Sequence, residues 1–548
     1  MKKGKLLGVM AGSTLLLTAC TTGNTADSGN EGGGNEQVFN LSVVQEMPSA
    51  DLSLATDTIS FTALNNVYEG IYRLDENSEP QPAGAAEMAE VSEDGLTYNI
   101  KLREDAKWSN GDPVTADDYV YGWQRTVDPE TAAEYAYLYG YVENGNDIIE
   151  GDKDPSELGI TAVNDYELEV KLDTPTPFFD NLLAFPSFFP QPEEVVEEKG
   201  DAYAETSDDS IYNGPFALTE FDGAGSDTEW SYTANEEYWD NENVDLDEIN
   251  VSVVKESSTG LNLFQDGQTD DVVLTGELAQ QNANDPEYQS VKEARTAYIE
   301  LNQREEDSPF NNKDLRLALS YALDRDSLVE QVLGDGSEAS TNLLPKETGK
   351  DPETDEDFTE VSDSTLTYDP EKAQEHWEKA KEDLDIDTLE FDLLAEDTDA
   401  SKKAAEYIQG AWKDLEGLDV TTSTVPFSVR LDRSESGEFD AVVGGWAADY
   451  ADPSSFTDLF QTGNSYNRGQ WSNEEYDQLV EEASTTHANE PEERFQDLLD
   501  AESIINEEMG VIPVYQKAEG HLISDNVKGI VTHGAGAKYD YKWASIEE

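Results

Sequence analysis

The balance of charge is the feature that most limits how this sequence can fold. Aspartate and glutamate number 120 against 34 lysines and arginines, so the formal net charge is −86 at pH 7. Self-repulsion of this size opposes a compact state. Salt relieves it, because the Debye length falls from about 8 Å at physiological ionic strength to about 3 Å at 1 M. Hydrophobic residues still make up 37% of the chain, enough for folded cores.

Such a composition indicates a folded protein with halophilic adaptation to a saline exterior. A surface for basic partners is the alternative interpretation. Nucleic acid is excluded as a partner, because its phosphates carry the same sign of charge.

The N-terminus has the pattern of an export signal. Residues 1–19 contain three lysines, an apolar stretch from Leu6 to Leu17 and a small residue at the end. The stretch is too short for a stable membrane span. Cys20, the only cysteine, follows it. The segment resembles a bacterial lipoprotein signal, which implies a diacylglyceryl group on Cys20 that anchors the protein in the lipid membrane. Two acyl chains suffice for stable attachment to the outer face of the cell membrane.

The segment after the signal is predicted to be a flexible tether. Residues 20–36 are mostly Gly, Asn, Ser and Thr and have almost no apolar side chains to bury. A lipidated Cys20 would leave no thiol for a disulfide, a metal or a nucleophile. The tether is compatible with an envelope of one or two membranes, and we favour a bacterium with one.

Strand and helix patterns alternate along the rest of the chain, which is typical of an α/β protein. The clearest unit is a strand at Leu389–Leu394, a helix and a second strand at Val420–Val425, and it predicts a βαβ crossover with parallel strands. A further strand at 439–443 runs into a loop with two glycines, a tryptophan and two aspartates. Ligands collect at the carboxyl ends of strands in open α/β sheets, so this loop is a candidate site.

Motifs for catalysis and metal binding are missing from the sequence. The four histidines are widely spaced, and no nucleophile elbow, complete dinucleotide loop, Walker lysine or EF-hand loop occurs. Pairs of carboxylates carry no information at this composition. We therefore expect no catalytic residue, no cofactor and no metal site, although a structural calcium at an aspartate cluster stays open.

Residues 85–129 carry a family resemblance. They contain a Leu-Arg pair, Lys-Trp-Ser-x-Gly, then Val-Thr-Ala-x-Asp and a helix with an arginine, in that order. This order resembles the signature region of the peptide/nickel class of bacterial extracellular solute-binding proteins. The segments 213–216, 309–325 and 512–515 resemble other parts of the family. The matching signature positions are Leu102, Arg103, Lys107, Trp108, Ser109, Gly111, Val114, Thr115, Ala116, Asp118 and Arg125.

The resemblance implies a two-lobed, hinged, periplasmic-binding-protein-like α/β fold with an additional domain, three domains in all. It also implies capture of a solute in the cleft between the lobes and delivery to the permease subunits of an ABC transporter. The expected divisions are a signal at 1–19, a tether at 20–36, a discontinuous first lobe at 37–69, 193–297 and 517–548, an inserted domain at 70–192 and a second lobe at 298–516.

Oligopeptide binders resemble the candidate loop best within that family. Their pattern Trp-x-Ala-Asp-Tyr is matched by Trp446, Ala448, Asp449 and Tyr450. The aspartate of this loop pairs with the α-ammonium group of the peptide in such relatives, so the resemblance implies that role for Asp449. A turn-capping aspartate is the alternative.

Further residues are expected near the ligand by the same resemblance. Tyr137 follows a Thr-Ala-x-x-Tyr-Ala motif, and for it and Trp446 core packing is the alternative. Thr56, with Asp57 beside it, aligns with a second carboxylate of the enteric relatives. Those relatives carry an arginine where this chain has Val443, so selection of one short peptide length is not implied; Arg433 is a weak substitute.

Three other functions stay open at this point. The same fold could bind a nickel chelate, an oligosaccharide or an opine, or it could be a receptor for peptide pheromones. A secreted hydrolase is the least favoured. Peptide length, sequence preference and the identity of the permease are not determined by the sequence.

The charge predicts that the folded state needs salt. The melting temperature is expected to fall when the salt concentration drops below about 0.1 M, where screening is poor. Thermal unfolding followed between about 0.05 and 2 M NaCl checks this expectation. A melting temperature that does not change over this range would contradict it.

Overall fold

The computed structural model describes residues 37–362 and 367–547. The predicted signal, the tether and Cys20 therefore lie outside the described residues. Within the described ranges, no helix is both long enough and apolar enough for a membrane span.

The strands of the described ranges are β1 (Val38–Val43), β2 (Tyr72–Leu74), β3 (Pro80–Pro82), β4 (Glu90–Val91), β5 (Thr97–Lys101), β6 (Ile160–Asn164), β7 (Glu167–Lys171), β8 (Phe216–Thr219), β9 (Glu229–Ala234), β10 (Glu248–Val253), β11 (Asp271–Leu274), β12 (Tyr288–Leu301), β13 (Glu338–Ala339), β14 (Leu389–Glu396), β15 (Leu418–Val425), β16 (Ala441–Ala447), β17 (Ile512–Ile523), β18 (Val527–Lys528), β19 (Val531–Thr532), β20 (Tyr539–Asp540) and β21 (Ser545–Ile546).

The α-helices of the same ranges are α1 (Thr58–Val67), α2 (Ala116–Val127), α3 (Gly145–Ile149), α4 (Phe179–Leu182), α5 (Glu193–Lys199), α6 (Ser257–Gln265), α7 (Glu277–Asn282), α8 (Lys313–Tyr321), α9 (Arg325–Ser327), α10 (Phe358–Val361), α11 (Pro370–Leu384), α12 (Asp399–Trp412), α13 (Phe427–Ser436), α14 (Ser454–Thr457), α15 (Glu474–Ser484) and α16 (Pro491–Glu508).

One mixed sheet runs through the molecule, in the order β15-β14-β16-β12-β17-β11-β1-β10-β9-β8, with β13 paired to β17. Parallel pairs occur at both ends of this order: β14 is parallel to β15 and β16, and β1 is parallel to β10 and β11. The α/β prediction is confirmed. The βαβ unit is confirmed as well, because α12 connects the parallel strands β14 and β15.

Two long antiparallel strands join the two halves of the sheet. β12 pairs with β16 through its own residues Arg295–Leu301. β17 pairs with β11 through residues Asp271–Leu274 of β11. β12 and β17 also pair with each other, with a register shift between Lys292 and Thr296. A shift of this kind interrupts the ladder and bends the strand. We assign the hinge of the two-lobed fold to this crossing, because β12 and β17 are shared by the two halves.

The buried core is not divided between the two halves, since the first of its two large clusters contains both Trp230 of β9 and Trp446 of β16. One large cluster includes Phe39, Trp123 and Trp230, and a second one surrounds Trp377 and Trp412. A separate four-stranded antiparallel sheet, in the order β4-β5-β7-β6, lies in the segment 70–192. The described chain from Gln37 onward packs as one compact unit, and the domain boundaries expected from the sequence stay a prediction.

The signature residues hold the frame together and do not face a ligand. Trp108 is buried, and Asp118 accepts a hydrogen bond from the N–H of Thr115 at 2.7 Å at the start of α2. Arg125 donates to both carboxylate oxygens of Asp51, at 2.8 and 2.6 Å. These contacts join α2 to the segment before α1, so the motif has a structural role.

Asn213 and Gly214 form a second structural contact. The Asn213 side chain accepts from the N–H of Glu69 and donates to its carbonyl, at 3.1 and 2.9 Å. A Cβ atom on Gly214 would lie 2.6 Å from backbone atoms of Val67 and Tyr68. Only glycine allows this close approach of two backbone segments, which explains the Asn-Gly pattern.

Candidate functional site

The site is built on the unpaired edge of β16. This strand pairs with β12 along its whole length, but with β14 only at Ala441 and Val442. Its other edge, from Val443 to Ala447, pairs with no strand of the described chain. An open edge of this kind can accept a further extended chain.

The direction of the backbone groups at this edge follows from one hydrogen bond. The N–H of Ala448 donates to the carbonyl of Ala294 on β12, at 2.8 Å. Alternate residues of an antiparallel pair point their N–H and C=O groups to opposite sides. The backbone groups of Gly445 and Ala447 therefore point to the open edge.

Three adjoining cavities flank this edge and form one cleft between the two halves. The Asp449 cavity encloses about 780 Å³, including space open to solvent. The Asp335 cavity, of about 790 Å³, shares Arg295 and Gly444 with it. The His521 cavity, of about 700 Å³, shares Thr58 with the first and five residues with the second. The cleft is large enough for an extended ligand of several residues.

Asp449 lies at the carboxyl end of β16 and is enclosed by aromatic residues. Its side chain is only 6% exposed. The hydroxyl of Tyr135 donates to Oδ1 at 3.0 Å, that of Tyr137 donates to Oδ2 at 3.4 Å, and Ser455 Oγ accepts from the Asp449 N–H. Burial raises the pKa of the Asp449 carboxyl to about 8, although both tyrosines lower it.

The Asp449 carboxylate has no protein cation as a partner. No lysine, arginine or histidine nitrogen lies within 4 Å of it in the described part of the chain. Enclosing a carboxylate without a counter-charge is unfavourable, and such groups cluster at functional sites. The arrangement favours a ligand that brings its own positive charge.

Two further carboxylates face the same cavity. Asp57 caps α1 by accepting from the N–H groups of Ile59 and Ser60, while its Oδ2 is buried and has no hydrogen-bond partner in the described ranges. Burial raises its pKa to about 6. Burial also raises the pKa of Glu300 to about 7, and this side chain accepts from the N–H of Gly469. Thr56 lines the cavity beside Asp57.

Aromatic rings form the wall next to Asp449. Trp446 is stacked on Tyr135 with ring centres 6.0 Å apart, and it meets Tyr466 edge-on at 4.5 Å. All three residues line the Asp449 cavity. The wall therefore offers apolar faces, and two of its polar atoms, Trp446 Nε1 and Tyr466 Oη, are buried without a hydrogen-bond partner among the described residues.

The predicted site residues fall into two groups. Thr56, Asp57, Trp446 and Asp449 line the Asp449 cavity. Tyr137 does not line the cavity, but its hydroxyl donates a hydrogen bond to the Asp449 carboxylate.

The other two predicted residues belong to the core. Ala448 turns its backbone toward β12. Tyr450 stacks on Phe178 at 4.2 Å, with its hydroxyl 3.3 Å from Ser454 Oγ. They position the loop without facing the cavity.

Sequence reasoning missed Tyr135, Glu300 and Arg295. Tyr135 belongs to the motif that pointed to its neighbour Tyr137. Glu300 is a single acidic residue in the otherwise apolar end of β12, and that contrast is the signal that could have identified it. Arg433, the weak substitute for a cation at position 443, lies outside the three cavities and donates to the carbonyl of Glu438.

Charged groups elsewhere in the cleft compensate one another. Glu293 and Glu519 contact both Lys517 and Lys538 in the His521 cavity. His521 lies 2.7 Å from Asp271; burial lowers its pKa, but the two neighbouring carboxylates raise it to about 9. This network lies on β17 and the strands beside it, so the buried charge at the hinge is paired.

One group with metal-ligand geometry occurs in the described ranges, away from the cleft. Atoms of Glu482, His487 and Asp497 lie within 4.8 Å of one another. The His487 Nδ1 is 2.5 Å from Asp497, so this contact is satisfied as an ion pair or hydrogen bond.

Comparisons with known proteins agree with this geometry. Residues 79–468 match the model of the bacterial extracellular solute-binding proteins, family 5. The "Dipeptide-binding protein" of Lactococcus lactis is 37% identical over all of both chains.

Solved structures give the same result. OppA of Listeria monocytogenes, solved bound to peptide, is 41% identical with a TM-score of 0.90, covering 94% of this chain and 100% of that one. The pheromone receptor PrgZ is 39% identical with a TM-score of 0.90, over 94% and 100% of the two chains. The two-lobed prediction is confirmed by these matches, and the chain belongs to family 5 of the bacterial extracellular solute-binding proteins.

Proposed function

We propose that this protein captures peptides in the cleft between its two lobes and delivers them to an ABC transporter. The observation that carries the proposal is the Asp449 carboxylate, buried without a protein cation at the end of an open strand edge. The relatives named as dipeptide-binding and oligopeptide-binding proteins support it.

The α-ammonium group of a peptide fits the chemistry of this position. Every free peptide carries that cation at one end, next to a backbone that can pair with a strand. In the enclosed cavity the ammonium group would donate hydrogen bonds to the Asp449 carboxylate, next to the hydroxyls of Tyr135 and Tyr137. Removing one member of such an enclosed pair costs about 2–5 kcal/mol, because the other charge is left unpaired.

The open edge of β16 supplies the second element of recognition. Gly445 and Ala447 direct backbone donors and acceptors to it, so a peptide could add as a strand. Successive side chains of an extended chain point to opposite faces, and the cavities on the two sides of the edge would receive them in turn. Water in these cavities would adapt to different side chains, which permits binding of many sequences.

The proposed location is the outer face of the cell membrane. Cys20 would carry the lipid anchor, and the tether would hold the lobes away from the bilayer and near the permease. Closure of the lobes around peptide would shift an open–closed equilibrium and present the closed surface to the permease.

A signalling role is the second candidate. The likeness to the pheromone receptor PrgZ supports it, and its site would use the same recognition of a peptide. An oligosaccharide is disfavoured, because a ligand without a cationic group would leave Asp449 enclosed and unpaired. A nickel chelate or an opine carries positive charge and stays an alternative. Mass spectrometry of ligands that co-purify from a mixed peptide pool separates these classes.

Substitution of Asp449 tests the proposal. Asp449→Asn keeps the size of the side chain and removes its charge, so affinity for free peptides should fall by about 2–5 kcal/mol. The same loss is expected for wild-type protein with N-acetylated peptides. Isothermal titration calorimetry at fixed salt measures both.

Asp458→Asn is the matched control. Asp458 is also buried, and its pKa is raised to about 7 by burial, but it contacts Tyr141 and does not line the three cavities of the cleft. This variant should keep wild-type affinity. Equal affinities of wild type and Asp449→Asn for free peptides would refute the assignment.

The raised pKa of Asp449 predicts a pH effect on stability without peptide. The folded state retains a proton up to about pH 8, whereas the carboxyl ionises near 3.8 when unfolded. Between these two pH values the unfolded state therefore binds fewer protons than the folded state. The stability that protonated Asp449 contributes is lost as the pH rises from about 4 to 8. Asp449→Asn should therefore lose less unfolding free energy than wild type between pH 5 and 8 in urea titrations. Parallel pH curves for the two proteins would contradict the burial of this group.

Lipid attachment is tested by Cys20→Ala. The variant should no longer incorporate labelled fatty acid and should leave the membrane fraction of expressing cells, because no acyl chain remains. Peptide affinity should stay unchanged, since none of the residues that line the cleft lies near Cys20 in the sequence. A variant that stays membrane-bound would rule out Cys20 as the anchor.

A further inference from the structure

Arg295 differs from the other cations of the cleft because it has no direct ionic partner. It lies on β12, opposite Ala447 of β16, and lines both the Asp449 and the Asp335 cavities. No carboxylate oxygen lies within 4 Å of its guanidinium among the described residues, and no hydrogen bond of this side chain occurs there.

The remaining basic residues of these two cavities are held in ion pairs. Each has a carboxylate oxygen within 3 Å. The pairs are Arg430 with Glu396 (2.8 Å), Arg468 with Glu134 (2.6 Å), Lys255 with Glu46 (2.8 Å) and Lys517 with Glu519 (2.6 Å).

The carboxylates nearest to Arg295 are engaged elsewhere. Burial lowers its pKa, but Glu293 and Glu396 raise it above the usual value, so the guanidinium stays charged. Glu293 contacts Lys538 at 2.7 Å, and Glu396 accepts from Arg430 and from Gln45. Arg295 is thus a partly exposed cation in the cleft whose five N–H donors are free for a ligand.

The position of Arg295 relates it to the start of a bound peptide. Its strand partner Ala447 is two residues before Asp449, and Gly445 and Ala447 provide the open edge. A peptide whose ammonium group meets Asp449 would place its first residues along this edge. Side chains on one face of that strand would enter the Asp449 cavity, and those on the other face would enter the Asp335 cavity. Arg295 lines both cavities.

We propose that Arg295 is a specificity-determining residue that pairs with a carboxylate of the bound peptide. The carboxylate belongs either to an Asp or Glu side chain within the first three residues or to the C-terminus of a dipeptide or tripeptide. A guanidinium binds a carboxylate through two parallel hydrogen bonds, which gives both strength and geometry. The proposal rests on the proposed peptide-binding function and adds a preference to it.

A preference for acidic peptides would be unexpected for a protein with so much negative charge. With a net charge of −86, the protein repels acidic peptides at long range. A peptide carboxylate would be accepted only where a free cation offsets that repulsion. Without Arg295, acidic peptides should therefore bind worse than neutral ones.

The experiment compares peptides that differ in one charge. The peptides are tetra-alanine variants in which the residue at position one, two or three is replaced by Glu, by Gln or by Lys. Dipeptides and tripeptides of alanine are used as free acids and as C-terminal amides. Binding to wild type, Arg295→Gln, Arg295→Lys and Arg433→Gln is measured by calorimetry at constant salt. Arg433→Gln is the matched control, because it removes an arginine outside the three cavities.

Wild type should bind the Glu peptide more tightly than the Gln peptide at one of the three positions, or the short free acid more tightly than its amide. Arg295→Gln should lose at least about tenfold in affinity for the peptide with that carboxylate and no more than about twofold for its neutral counterpart. Unchanged binding of the neutral peptide shows that the variant is folded. Arg295→Lys should restore part of the preference, and Arg433→Gln should keep all of it.

The outcomes separate this inference from the proposed function. If wild type binds no free peptide, the proposed function fails. If it binds the Gln and Glu peptides and the acids and amides equally, only the role of Arg295 is overturned. A preference for glutamate over glutamine, or for the free acid over the amide, that survives in Arg295→Gln overturns it as well. So does a lysine peptide that binds wild type as tightly as the glutamate peptide at the position of that preference.

Discussion

The account depends on a carboxylate that the fold encloses without providing a cation. Asp449 is held by two tyrosine hydroxyls, whose hydrogen bonds do not offset the loss of water, so its pKa stays raised. Two other buried carboxylates of this chain are neutralised inside the protein. Asp540 pairs with Arg73 and Asp452 with Arg494, and burial is then outweighed so that their pKa values are lowered. Asp449 is left for a ligand to neutralise.

The frame explains how such a group can be enclosed and still be reached. β12 and β17 connect the two halves, and the register shift between Lys292 and Thr296 interrupts their ladder. The wall around Asp449 combines Tyr135, from the segment between α2 and α3, with Trp446 on β16. Turning about β12 and β17 would open the wall to a peptide and close it again.

Local patterns in the sequence predicted the elements well. The βαβ unit and the strand that leads to the Asp449 loop both follow from residue spacing and are present. The family resemblance supplied the role expected of Asp449, which stays a prediction, and it pointed to a loop that borders the cleft.

The walls of the cleft could not be predicted in this way. Arg295, Glu300 and Tyr135 come from elements far apart in the chain, and only the packing of the two halves brings them to one cavity. The resemblance also included Ala448 and Tyr450, yet strand alternation turns the backbone of Ala448 toward β12, and Tyr450 is used in stacking on Phe178. Which neighbours of a motif face a ligand depends on register and rotamer, and spacing alone does not contain this information.

A crystal structure with a bound peptide of known sequence tests the central claim most directly. The account predicts that the peptide's terminal nitrogen lies within hydrogen-bond distance of the Asp449 carboxylate and that its backbone pairs with Gly445 and Ala447. A peptide bound with its ammonium group elsewhere, or with Asp449 facing only protein atoms, would contradict it.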